Sequence, residues 1–207
     1  MTDRPRMGPR DADATRQRLL RAGLELYSTR GFLATTTPML AERAGVAEGT
    51  IYRHFASKEQ LLNAVYLGTQ EWALRLVREQ EGERAFRTRE RLQSVGRRLV
   101  EAAGRDPAPV RMLMRPPEPG LLDERSREAA REVSAVLQQL VAMGKSDGLI
   151  RAGPAELWAG VWLRVVSWAL DRVLEGEWPV DHPQIGPTLD AAWAAIAGDQ
   201  RSTGPGA

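Results

Sequence analysis

Between Gly31 and Leu62 the chain reads GFLATTTPMLAERAGVAEGTIYRHFASKEQLL. This stretch limits the fold more tightly than any other. Two short runs with helical spacing flank Ala44-Gly45-Val46, a turn that brings the second run sharply across the first. The second run crowds aromatic, basic and hydroxyl residues together. That combination suits a helix-turn-helix that lays its second helix in the major groove of DNA.

The second helix should run from Glu48 to His54. Ile51 and Phe55 lie four apart, share one face, and should pack inward with Val46 and Leu40. The opposite face carries Gly49, Thr50 and Arg53, flanked by Tyr52 and His54. Gly49 permits close backbone approach, Thr50 suits a hydrogen bond or a thymine methyl, and Arg53 suits the N7/O6 edge of guanine. Tyr52 and His54 are placed to reach phosphates, and Lys58 to meet the DNA backbone as a point charge. Thr36 and Thr37 start the preceding helix, where hydroxyls and unpaired amides form a phosphate clamp. Each residue singly has an ordinary use, Thr36 as a helix cap and His54 as a surface histidine. Their concentration in one window favours DNA.

Composition narrows the alternatives. The 207 residues, 43% hydrophobic, fit one domain or two small ones. There is no cysteine, which removes disulfides, thiolate metal sites and thiol nucleophiles. The two histidines, His54 and His182, are far apart, so no metal site or cofactor is expected. No Gly-rich phosphate loop or nucleophile elbow appears, so an enzyme is not expected. No apolar run approaches the roughly 20 residues of a membrane span, and the polar, arginine-rich N-terminus lacks the apolar core of a secretory signal. A cytoplasmic protein is expected. The formal net charge of +2 is uneven: residues 1–60 hold ten basic and seven acidic side chains, the remainder nineteen and twenty. A basic end is the electrostatic footprint of a DNA-binding head.

The rest of the chain shows helical periodicity and no sustained period-two alternation, so the fold should be all-α. Residues 1–10 and 198–207 read as tails, 11–57 as the helix-turn-helix head, and 58–197 as a helical body. Helix one should start near Asp11–Asp13 and stop at Gly31. Ser57 can cap a long fourth helix ending at Glu81-Gly82. Thr88 starts the fifth, ending at Gly104, and Asp106-Pro107 starts a short helix holding Met112 and Met114. The Pro116–Gly120 run breaks the chain before a helix that fades at Gly144–Gly148. The helix after Pro154 is apolar nearly all round, with Glu156, Arg164, Ser167 and Asp171 confining its polarity to a thin stripe, and must be covered on most sides. The last helix places Ile185, Leu189, Ala192, Trp193 and Ile196 on one face. The surplus apolar surface favours a symmetric four-helix interface in a homodimer, with Trp158, Val161, Val165, Leu189, Trp193 and Ile196 as its candidates. Met112, Met114, Trp158, Trp162, Arg164 and Trp168 are candidates for an apolar effector pocket. Three roles are open to Arg164: anchoring an acidic ligand, pairing with Asp171, or bridging the dimer.

The head resembles that of the tetracycline-repressor (TetR) family of bacterial transcription regulators. The resemblance rests on Gly31, Phe32, Thr35, Thr36, Leu40, Ala41, Ala44, Gly45, Val46, Gly49, Thr50, Ile51, Tyr52, His54, Phe55, Lys58, Glu59 and Leu61, with Arg16 through Tyr27 similar to the family's first helix. It covers roughly residues 15–62. It implies an all-α homodimer whose head binds a palindromic operator and whose body holds a small-molecule effector. By residue, it implies DNA contacts at Thr36, Thr37, Gly49, Thr50, Tyr52, His54 and Lys58, with Arg53 at the variable position that sets specificity. Three departures stand out. Ala47 replaces the usual Ser or Thr cap, a loss of about 1 kcal/mol. Glu48 stands where Lys or Arg is frequent, and Met39 removes the acid of a capping box. The competing reading is an all-α dimeric module that binds a ligand or protein and carries a degenerate head.

Overall fold

The structure is a computed structural model and describes residues 9–78 and 88–198. Most of the expected N-terminal tail, all but the start of the C-terminal one, and the expected helix end at Glu81-Gly82 lie outside them. The described residues are all-α: α1 (Pro9–Ala34), α2 (Thr37–Ala44), α3 (Glu48–His54), α4 (Lys58–Arg78), α5 (Thr88–Arg105), α6 (Pro107–Met114), α7 (Glu124–Ser146), α8 (Ala155–Leu174) and α9 (Ile185–Ile196), with a 3-10 turn at Pro119–Leu121. One antiparallel bridge, Ile150 with Ala197, supplies the extended pairing among them.

The chain divides into two compact units. The first holds Met1–Glu71 and Arg111–Ala130, the second Trp72–Val110 and Arg131–Ala207. The first unit takes in the first half of α4 and the segment around the Pro119–Leu121 turn.

In the first unit α1 breaks where glycine was expected to stop it. Gly31 has φ 78° and ψ 168°, a region that is essentially glycine's alone. A last turn, Phe32–Ala34, follows. Gly45 takes the left-handed conformation after α2 (φ 64°, ψ 44°), where a residue without a Cβ is unstrained. Its N–H donates to Glu42 O, and that of Val46 to Ala41 O at 3.0 Å, which satisfies helix-end carbonyls and turns the chain into α3. Leu19, Leu40, Ala44, Ile51, Phe55 and Leu61 form the core these helices share, and Met112 and Leu122 complete it.

The buried Asn63 ties the first half of α4 to the later segment. Its amide donates to Glu59 O (2.9 Å) and Leu121 O (3.0 Å) and accepts from Asp123 N (2.8 Å). Ser126 Oγ then donates to Asn63 O at 3.4 Å. Asp123 caps α7 through Ser126 N at 2.8 Å. A buried amide with every contact filled fixes a geometry that apolar packing leaves free.

In the second unit α8 packs on α9 and both pack on α5. The helices approach closely because glycines face side chains: a Cβ on Gly96 would stand 2.6 Å from Leu189, and one on Gly144 2.7 Å from Thr88 and 2.8 Å from Ile150. Ala159, Trp162, Val166, Ala169, Leu170 and Val173 form the buried face of α8.

Candidate nucleic-acid interface

α3 is too short to hold itself together, so its neighbours in the head must position it. Ile51 and Phe55 are 1% and 2% exposed, as the spacing requires, and anchor the helix. Gly49 and Arg53 are exposed, Thr50 is half-buried, and Tyr52 is 56% exposed.

Ala47 precedes α3 without a side-chain cap bond, as its residue type dictates. The first turn closes through Thr50 N to Ala47 O at 2.8 Å instead. Thr36 sits at the N-cap of α2, exposed, and its hydroxyl makes no cap bond. The capping use of Thr36 is therefore absent, and the hydroxyl is not committed to its own helix. Thr37 follows as the first residue of α2, with Pro38 behind it. Electropositive support comes from residues that sequence reasoning passed over. Arg18 reaches Gly45 O at 3.4 Å and Thr15 Oγ1 at 3.2 Å, and Arg16 lies 5.1 Å over the Phe55 ring. They lie nine and eleven residues before Tyr27 on α1, about two and a half and three helical turns, a spacing that gives no hint of what they touch.

Two site residues differ from expectation. His54 is half-buried with its Nε2 enclosed and without a hydrogen-bond partner. It lines a cavity of about 550 Å³ with Arg16, Phe55, Gln60 and Asn63. Lys58, expected on the DNA backbone, points inward. Its Nζ donates to Phe32 O (3.0 Å) and Thr35 O (2.9 Å) and stands 4.1 Å from the Phe32 ring centroid. The start of α4 is also closed by its own caps: Ser57 Oγ accepts from Gln60 N at 3.2 Å while the Gln60 side chain takes the Ala56 N–H. Beside them, hydrogen bonds from its own backbone N–H and from Ser57 hold the Glu59 carboxyl below the usual range.

The pocket and dimer candidates separate. Met112, 1% exposed, belongs to the core of the first unit, and Trp162, 1% exposed, to that of the second. Both are packing residues. Met114 lies in the first unit, and Trp158, Arg164 and Trp168 in the second, so the six do not line one cavity within either unit. Trp158 is held by its indole N–H on Ala152 O at 3.1 Å, with Arg151 over the ring. Trp168 is 49% exposed and meets Trp178 edge-on at 5.1 Å. Arg164 is exposed beside Leu157, Gly160 and Val161 along the outer face of α8. Leu189 and Ile196, expected at the dimer interface, are 2% and 0% exposed within the protomer. Their face of α9 is used up on α5 and α8, so they are core. Val161, Val165 and Trp193 stay half-buried. Among the described residues no helix is long and apolar enough to cross a membrane, and no cluster of acidic, histidine or cysteine side chains is arranged to hold a metal.

Residues 19–65 match the family model of bacterial regulatory proteins, tetR family. The chain is 39% identical over 69 residues to the HTH-type transcriptional regulator UidR of Escherichia coli K12, covering 33% of this chain and 35% of that one. It is 35% identical over 60 residues to the HTH-type transcriptional repressor KstR2 of Mycobacterium tuberculosis, covering 29% and 30%. The match thus spans about a third of the relatives' length. Solved structures match nearly the whole chain. A TetR family regulator from Vibrio parahaemolyticus is 26% identical with a TM-score of 0.69, over 88% of this chain and 98% of that one. One from Marinobacter aquaeolei reaches a TM-score of 0.76 at 23% identity, over 92% and 100%. FadR from Bacillus subtilis, solved in complex with stearoyl-CoA, has a TM-score of 0.68 at 18% identity, over 87% and 98%.

Proposed function

We propose that this chain, whose residues 19–65 match the family model of bacterial regulatory proteins, tetR family, is a sequence-specific, DNA-binding transcriptional regulator of that family. It acts as a homodimeric repressor that releases a palindromic operator when a small molecule binds its body. The observation that carries the reading is the division of α3: Ile51 and Phe55 sealed inside, Gly49, Tyr52 and Arg53 turned out. A helix anchored on one face and bare on the other can enter a groove without unfolding. In this reading Thr36 and Thr37 hold a phosphate at the start of α2, Tyr52 contacts the backbone, and Gly49, Thr50 and Arg53 read base edges.

A dimer must present its two reading helices about 34–36 Å apart, or a multiple, to match the DNA turn. The outer face of α8, with Leu157 (50% exposed), Val161, Arg164 and Trp168, is the surface we assign to the partner. A small molecule that binds the wrongly spaced conformer more tightly releases the operator, and operator binding must weaken the ligand to the same degree. The fatty-acyl thioester bound to the FadR neighbour makes long-chain acyl compounds the first effectors to try.

Selection of duplexes from a random pool tests the whole reading. A palindrome with half-sites one turn apart is expected. Tyr52→Ala and Arg53→Ala should abolish its selective capture while leaving the chain folded and dimeric. Equal retention of all sequences by the wild-type chain would refute the proposal.

A further inference from the structure

We propose that Lys58 positions the phosphate-binding corner of the head from inside and is not itself a phosphate ligand, an inference that rests on the DNA-binding reading. The Lys58 ammonium donates to the carbonyls of Phe32 (3.0 Å) and Thr35 (2.9 Å). The Phe32 ring closes on the charge at 4.1 Å, a cation–π geometry. The cluster is locked on both sides. Tyr27 Oη donates to Lys58 O at 3.3 Å, and the Tyr27 and Phe32 rings lie 5.8 Å apart. Thr35 is 0% exposed and its hydroxyl donates to Gly31 O at 2.8 Å.

Both carbonyls belong to the corner between α1 and α2. All described peptide bonds are trans. In a planar trans peptide the C=O of one residue and the N–H of the next point in opposite directions. Holding Thr35 O inward therefore aims the Thr36 N–H outward, beside a hydroxyl that makes no cap bond. Lys58 thus sets the direction of the donors that meet the phosphate. A Lys58 side chain swung out to DNA would leave two carbonyls without their charged donor and undo the corner it was to assist. Because Lys58 is also the first residue of α4, the same cluster fixes α4 to the corner.

The test uses the full chain and the duplex selected above. Lys58→Met should weaken binding tenfold or more, with the slope of log K against log salt unchanged. A phosphate ligand in each protomer of the dimer would instead lower that slope by about 1.8, twice about 0.9, and this result would overturn the proposal. Phe32→Leu, which removes no charge, should weaken binding with the same unchanged slope; full retention of affinity would count against us. Lys58→Arg covers a failure of Lys58→Met to fold. A guanidinium still reaches a phosphate but does not fit the two-carbonyl seat, so wild-type affinity in this variant also overturns the proposal. Without DNA, Lys58→Met and Phe32→Leu together should lower the thermal midpoint by less than the sum of their separate effects. Strict additivity would mean that no such cluster exists in solution. A wild-type chain that binds no duplex sinks the DNA reading and the positioning role with it, while the coupling in the free protein stands or falls on its own.

Discussion

At the scale of single residues, the site divides by how each side chain spends its polar groups. Thr36 keeps its hydroxyl uncommitted, Lys58 spends its ammonium on two carbonyls, and Asn63 spends its whole amide inside the head. Residue type and spacing made Thr36 and Arg53 legible in the sequence. Lys58 was legible as important, but the direction of a long flexible side chain is set by what surrounds it. Asn63 was not singled out. Its one signal is a polar residue amid Leu61, Leu62 and Val65, on a stripe that otherwise reads as core. Asn63→Ala would strand Leu121 O and Asp123 N, so a loss of about 2–3 kcal/mol is expected, read from urea unfolding. The Asp123 amide should also lose protection from hydrogen exchange. Unchanged protection would show that this amide is held by something else.

At the scale of elements, the caps explain which helices are firm. α4 opens with Gln60 N–H on Ser57 Oγ, as Ser57 promised, and with the Gln60 side chain on the Ala56 N–H, one residue before the N-cap amide that a capping box uses. α3 opens on Ala47 with nothing. Ala47→Ser restores an acceptor for the first-turn amides and should stabilise the head by about 1 kcal/mol, seen as a higher thermal midpoint. A lower midpoint would mean that the methyl of Ala47 packs where a hydroxyl is not tolerated. α8 shows the limit of periodicity. Its sequence is apolar nearly all round, so its pattern gave no reliable choice of inner face. The structure buries Trp162, Val166, Ala169 and Leu170 and leaves Leu157 and Trp168 half open.

At the scale of the molecule, the exposed side of α8 is the surface assigned to the second chain of the proposed homodimer. Leu157→Glu places a charge on the surface assigned to the partner, where no ion pair can form without desolvation. A fall in sedimentation mass from two chains to one is expected, with operator affinity falling at least a hundredfold as the two half-sites uncouple. A variant that remains dimeric would move the interface elsewhere. α9 contributes less to that surface than its apolar stripe suggested, because Leu189 and Ile196 are consumed within the protomer.

The local signals were sufficient wherever the physics is local. Gly31 and Gly45 fixed where helices stop, because their backbone conformations exclude other residues. The four-residue spacing of Ile51 and Phe55 fixed which face of α3 is buried, because a short helix has one way to bury two large side chains. Packing decided the rest. Which face of α8 turns inward, whether Leu189 and Ile196 meet another subunit or their own, and where Lys58 sends its charge all depend on neighbours distant in sequence. Burial is a property of what surrounds a residue, and periodicity records only which residues can be buried together.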